Sequence, residues 1–275
     1  MGYIMSTEIE FTTDHKFTME APKAPEVETP MFEFLHGIYR PNEIYNFAYS
    51  QWNDLFNAQK VSNVVETLEN GGDFRDPLMR SKCESELLWI KELRRKGNRL
   101  VDVWKLLENE HKAPKSLKKV VSCIGKYKDS VLFLGKEERH LEELMERVDK
   151  LTEKGHPSFV PSSFLSFYET YSGYLTEMQS ILNMRELTLE KHHTLRKRAR
   201  TLRHYFYLVD QVTGNSQAKS FADFLEPVSV EMGKVQDQVF VLERTGKADV
   251  EKDTTKLKDK HRSILENFIN LHSSY

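Results

Sequence analysis

Cysteine is almost missing from this chain: Cys83 and Cys123 are the only two in 275 residues. Two thiols build neither a disulfide framework nor a zinc site, and they read as ordinary thiols of a reducing compartment. Glycine and proline are scarce, at 12 and 9, too few for the many tight turns of a β-sandwich. No apolar run approaches the roughly 18 residues of a membrane-crossing helix, so no membrane partner is expected. The opening MGYIMSTEIE lacks both the basic and the apolar region of a secretory leader. MGYIMS fits the loose N-myristoylation pattern at Gly2, a pattern that short sequences often match by chance. A surplus of one charge is missing too. Lys plus Arg is 40 and Asp plus Glu is 42, a formal net charge of -2. That excludes a general nucleic-acid coat but leaves room for a local basic patch.

What is present is charge and helical periodicity. Charged residues are 30% of the chain and hydrophobic residues 39%. Residues 1–30 stand apart: Pro22, Pro25 and Pro30 accompany six acids (Glu8, Glu10, Asp14, Glu20, Glu26, Glu28) and two bases (Lys16, Lys23). They read as an acidic, proline-containing N-terminal tail. From residue 42 the apolar spacing is helical. Ile44 to Leu68 form one run that Gly71 and Gly72 stop. Asp76 and Pro77 give an N-cap and a first helical proline for a helix reaching about Glu110. Pro114 opens the next, which continues toward Gly155, with Gly125 and Gly135 as bend points. Pro157 and Pro161 mark the mid-chain break, and Ser162 or Ser163 caps a stretch from Phe164 to Leu208, interrupted near Asn183. Gly214 ends it, and further helices cover about 217–243 and 251–273. No stretch alternates with period 2 for long, so the expected class is all-α.

The two halves resemble each other. IGKYKDSVLFL at 124–134 and MGKVQDQVFVL at 232–242 share apolar-Gly-Lys-x-x-Asp-x-Val-x-x-Leu. Upstream of each lies a basic helix beginning Leu-Arg, LRRKGNRL at 93–100 and LRKRARTL at 195–202. This suggests two similar helical hairpins related by a pseudo-two-fold axis, with Gly125 and Gly233 allowing close helix approach.

Charge concentrates on the same helices. Residues 191–204 hold Lys191, Arg196, Lys197, Arg198, Arg200 and Arg203 with no acid, and His192, His193 and His204 besides. On a helix His193, Arg196, Arg200 and Arg203 share a stripe roughly 80° wide. Residues 91–128 hold twelve bases, Lys91, Arg94, Arg95, Lys96, Arg99, Lys105, Lys112, Lys115, Lys118, Lys119, Lys126 and Lys128, against Glu92, Asp102, Glu108 and Glu110. Like charges one turn apart repel, a cost that a bound polyanion removes. Arg suits phosphate because its planar fork donates bidentately.

HTLRKRARTLR at 193–203 closely resembles the His-x-x-Arg-x-x-x-basic-x-x-Arg motif of the conserved-histidine α-helical domain, the CHAD family. IGKYKD and MGKVQD resemble the two Leu-Gly-x-x-x-Asp elements of that family, with Ile and Met in place of Leu. The resemblance spans about residues 35–273. The first motif copy departs from the pattern: Lys91 stands at the His position, Asn98 at a basic one and Val101 at the last Arg. The resemblance implies two pseudo-symmetric helical bundles of long antiparallel helices over residues 31–275, with halves of about 31–156 and 157–275. It also implies binding of inorganic polyphosphate in a basic channel between them.

Catalytic motifs are lacking. There is no Walker loop, His-Glu-x-x-His helix or Gly-x-Ser-x-Gly elbow. Adjacent His192 and His193 point about 100° apart and make a poor metal pair, and Asp129 and Asp237 read as repeat-equivalent structural acids. Trp52, Trp89 and Trp104 lie in apolar runs and read as core. The expectation is therefore a non-enzymatic polyphosphate-binding protein without metal or cofactor. Arg196, Arg200 and Arg203 make the phosphate contacts, and His193, Lys197, Arg94, Arg95 and Arg99 complete the channel. Lys118, Lys119 and Lys126 form its rim. The alternatives are a helical interaction protein taking an acidic peptide or RNA in the groove, and a phosphohydrolase. RNA is disfavoured because the basic helices lack interleaved stacking aromatics. A cytoplasmic location, with association with polyphosphate granules, goes with this reading.

Overall fold

The computed structural model describes residues 25, 29–55, 77–133, 143, 144, 146, 147, 150, 158–185, 188–245 and 261–271, with side chains undescribed at 77–87, 128–133 and 234–245. The expected tail, the 56–76 stretch, Asp129 and Asp237 lie outside those described in full. The helices are α1 (Met31–Ile38), α2 (Pro41–Leu55), α3 (Pro77–Leu107), α4 (Lys115–Phe133), α5 (Phe164–Leu182), α6 (Leu189–Thr213) and α7 (Ser216–Thr245). Residues 261–271 are helical as well and are called α8. Among the described residues there is no strand, only an isolated bridge between Glu108 and Pro161. The fold is all-α, as the periodicity predicts.

Local chemistry sets the ends. Pro41 and Pro77 take the first positions of α2 and α3, where a missing N–H costs nothing. Ser163 accepts from the Ser166 N–H at 3.2 Å and caps α5. Thr188 accepts from the Lys191 N–H at 3.3 Å and caps α6. Gly214, at φ 66°, closes α6 in the left-handed conformation glycine adopts without strain. Asn215 then accepts from the Ala218 N–H at 2.9 Å and starts α7. Pro227 lies inside α7. The proline signal does not end this helix, whose long apolar face is held by packing against α6.

Helices α6 and α7 form the most extensive pair, and α3 packs against α2 and α4. Helix α3 also meets α6, so the two basic helices lie against one another, with α2 touching both. The interior is aromatic. Tyr45 stacks on Phe159 at 4.1 Å with Trp104 edge-on to both, and Phe206 stacks on Phe221 at 4.9 Å. Trp52 and Trp104 are buried and Trp89 is half-buried, its Nε1–H donating to the Leu55 carbonyl at 3.2 Å.

The break between α4 and α5 is tied to α3. The Ser162 N–H donates to the Leu107 carbonyl at 2.8 Å and the Asn109 N–H to that of Val160 at 2.9 Å. His111, a non-glycine residue at φ 53°, turns the chain out of α3. Its Nδ1–H donates to the Lys105 carbonyl at 3.2 Å, which leaves Nε2 to accept from Ser166 at 2.9 Å and Thr170 at 3.2 Å. These bonds hold the strained residue against α5.

Candidate functional site: the crossing of two basic helices

Leu93, Gly97 and Leu100 of α3 are buried, and Leu195, Ala199 and Leu202 of α6 are buried in the same register. The burial of residues 88–107 matches that of 190–209 position for position, with only Lys91/His193 and Val101/Arg203 departing. In this register Asp102 is the counterpart of His204. The two touch: the His204 Nδ1–H donates to Asp102 Oδ2 at 3.0 Å.

Asp102 is the centre of the crossing. Its side chain is 3% exposed. Arg200 grips it bidentately from α6, Nε to Oδ2 at 2.8 Å and Nη2 to Oδ1 at 3.1 Å. Burial alone would raise the carboxyl pKa, but the Arg200 charge and the His204 bond hold it well below the usual carboxylate range. His204 is buried as well, and desolvation lowers its pKa to about 4 against the pull of Asp102. At neutral pH the centre is one carboxylate, one guanidinium and one neutral imidazole. Further cations gather beside it. Burial pushes the Lys105 ammonium down; Asp102 opposes this, and Lys118, Arg200 and Lys197 push further in the same direction. Bases from α3, α4 and α6 thus feel one another across the crossing.

A second cluster lies further along α6. Arg95 and Arg99 are one turn apart on α3, and Arg203 and Tyr207 are one turn apart on α6. The Arg99 guanidinium stacks on the Tyr207 ring, 3.9 Å from its centroid, and Nη1 donates to Gln51 Oε1 of α2 at 3.3 Å. Burial lowers the Arg99 pKa first; Tyr207 resists, and Arg95 and Arg203 lower it further. Burial also lowers that of Arg203, opposed by Glu226, which accepts from its Nη2 at 2.5 Å.

The expected site residues divide into three groups. Arg200, Arg203, Arg95 and Arg99 come together at the α3–α6 crossing, with Lys197 and Lys118 close enough to Lys105 to act on its charge. Arg94 and Arg196 serve the hairpins. A Cβ placed on Gly125 would lie 3.2 Å from the Arg94 guanidinium, and one on Gly233 would lie 2.9 Å from Arg196 Nη2. In each half, the first Arg of the Leu-Arg helix therefore lies over the glycine of the Gly-Lys-x-x-Asp element. His193 is half-buried on α6, Lys119 is exposed, and Lys126 is exposed with its Nζ 3.6 Å from Glu143.

The expected stripe of mutually repelling arginines is not what α6 presents. Its acids come from other helices: Asp102 for Arg200, Glu226 for Arg203, and Glu177 for Arg198, whose guanidinium also sits 3.9 Å over Tyr174. Sequence reasoning passed over Asp102, His204, Tyr207, Lys105 and Gln51. Asp102 and His204 carried a signal, since they share one position of the repeat frame. The partnership of Arg99 with Tyr207 and Gln51 joins α3 to α6 and α2, and no local pattern encodes it. No group of His, Cys, Asp and Glu among the described residues is arranged to hold a metal, and no described helix is long and apolar enough to cross a membrane. No protein-family model, curated protein or solved structure matches the chain.

Proposed function

We propose that the protein binds inorganic polyphosphate, without turning it over, along the crossing of α3 and α6. The observation that carries this reading is the meeting of bases from both repeats: Lys105 and Lys118 from the first, Lys197 and Arg200 from the second. A linear polyanion offers one charge per phosphate and lowers the mutual repulsion of such a cluster. Asp102 neutralises one guanidinium and leaves the lysines in excess.

The CHAD-like arrangement of two pseudo-symmetric bundles belongs to the same reading. In a two-fold arrangement, equivalent residues meet on the axis, and the contact of Asp102 with His204 supports this. The matched seats of Arg94 over Gly125 and Arg196 over Gly233 support it as well. Arg200, Arg203, Lys197 and His193 contribute from the second half, Arg95, Arg99, Lys118, Lys119 and Lys126 from the first. Arg94 and Arg196 act by shaping the hairpins.

Titration with long-chain polyphosphate at two salt concentrations tests the reading. Counterion release gives a log–log slope of about -0.7 for each phosphate contacted, by analogy with single-stranded nucleic acid. Chain length on a gel stays unchanged after incubation with divalent metals. Absence of binding at low salt overturns the proposal, and progressive shortening of the polymer overturns its non-enzymatic part.

A further inference from the structure

Arg99 differs from every other arginine at the crossing. It is 3% exposed, yet among the described residues no carboxylate pairs with it. Its Nη1 donates to the neutral Gln51 amide oxygen, its face rests on the neutral Tyr207 ring, and its Nε is buried without a hydrogen-bond partner among the described residues. A buried cation without a counter-ion is costly, and such groups are found paired. The neighbours add to the cost. Arg95 lies one turn before Arg99 on α3, and Arg203 one turn before Tyr207 on α6, so the two i,i+4 pairs face each other across the helix contact. Glu92 takes Arg95 and Glu226 takes Arg203; neither pairs with Arg99. The exposure falls in steps from the Arg95 side chain at 55% to that of Arg203 at 12% and to Arg99 at the floor.

Resting on the polyphosphate reading above, we infer that Arg95, Arg203 and Arg99, backed by Tyr207, form a blind seat for one terminal phosphoryl group of the polymer. The seat is open at Arg95 and closed by the Tyr207 ring and by Gln51. An internal phosphate has chain leaving in two directions and cannot enter it, whereas an end can. A terminal phosphoryl group also carries an extra ionisable oxygen, which suits three converging guanidinia. The seat would therefore select for chain ends, while the bases gathered at Lys105 hold the polymer without regard to its ends.

The test compares linear tripolyphosphate with cyclic trimetaphosphate, which has no end, on the full chain by calorimetry and thermal shift. Wild-type protein is expected to bind the linear form at least about tenfold tighter than the cyclic one. Arg99→Met keeps an aliphatic stem on Tyr207 and removes the charge. It is expected to cut the linear–cyclic difference several-fold, down to what the extra charge of the linear form alone gives, and to raise the melting temperature of the ligand-free protein, because an unpaired buried charge is gone. Arg95→Gln, on the exposed rim and without risk to folding, is expected to weaken tripolyphosphate several-fold and the cyclic form by much less. Equal binding of the two forms by wild type, or a preference for the linear form that neither substitution reduces, overturns the end seat while leaving polyphosphate binding intact. If no polyphosphate of any length binds the wild type, the seat and the underlying reading fall together.

Discussion

Asp102 sets the chemistry of the crossing. Its carboxylate is stabilised by Arg200 and by the His204 Nδ1–H, so acid attacks the centre in two stages. His204 has a folded-state pKa of about 4, below its ordinary value of about 6.5. Its contribution to stability is complete above about pH 6.5 and is lost as pH falls through 4. Asp102 is also depressed, so its contribution is present above the ordinary Asp range and fades in stronger acid. Urea unfolding between pH 7 and 4 should therefore show a loss on the order of 2–3 kcal/mol attributable to His204. His204→Gln should flatten that slope. A wild-type stability that does not change over this interval would remove the buried neutral imidazole from the account. The same geometry alters what Arg200→Ala does. Read as a solvated donor, Arg200 could be deleted at no cost to folding. Held by a buried carboxylate, its loss strands a negative charge, and Arg200→Ala is expected to destabilise by about 3 kcal/mol. Arg200→Lys, which keeps the charge and loses the fork, should cost less, and the comparison by thermal or urea unfolding reads the difference. A binding assay on Arg200→Ala alone would confuse lost contacts with lost structure.

At the scale of the element, glycine shows how much of the helical architecture is visible in sequence. Gly97, in the middle of α3, meets Val121 Cγ2 at 2.8 Å and the Trp52 ring at 3.1 Å if a Cβ is added. Both neighbours are packed and cannot yield, so Gly97→Ala should cost about 1–3 kcal/mol despite the better helix propensity of alanine. Gly173 of α5 and Gly37 of α1 have nothing within 4 Å of that position. There the same substitution should stabilise by about 0.5–1 kcal/mol. Chemical denaturation of the three variants checks both signs, and a neutral Gly97→Ala would mean that α2, α3 and α4 are less tightly packed than their distances indicate. In sequence Gly97 and Gly173 look alike, each inside an apolar-periodic run. What was legible was local: Pro77, Ser163 and Gly214 at helix ends, the apolar spacing, the Arg94–Gly125 and Arg196–Gly233 repeat, and the concentration of bases on α3 and α6. What was not legible was set by contacts between segments distant in sequence. These include the pairing of Arg198, Arg200 and Arg203 with acids of other helices and the stacking of Arg99 on Tyr207. Periodicity fixes which residues face inward but not which buried face meets which, and the charge partners follow from that choice.

At the scale of the whole molecule, the question is whether the halves about 31–156 and 157–275 fold as separate units. The contacts argue for one unit. The carboxylate buried in α3 has its cation and its imidazole on α6, and the main chain of 158–162 is bonded to the end of α3. Separating the halves would expose Asp102 to water, leave His204 and Arg200 without their partner, and open Trp104, whose ring packs on Phe159 beyond the break. The tryptophans make this measurable without any substitution. Trp52, Trp89 and Trp104 all lie before residue 157, so tryptophan fluorescence reports on the first half and, through Trp104, on its contact with the second. Far-UV circular dichroism reports on every helix. If the crossing couples the halves, urea unfolding followed by the two probes should give one transition with the same midpoint and slope. Tripolyphosphate should move both curves together, because a ligand held by both α3 and α6 stabilises the assembled state only. A fluorescence transition displaced from the dichroism transition would mean that the first half unfolds on its own. The ion pairs across the crossing would then be contacts between independent units, and the shared basic surface would depend on docking as well as on folding.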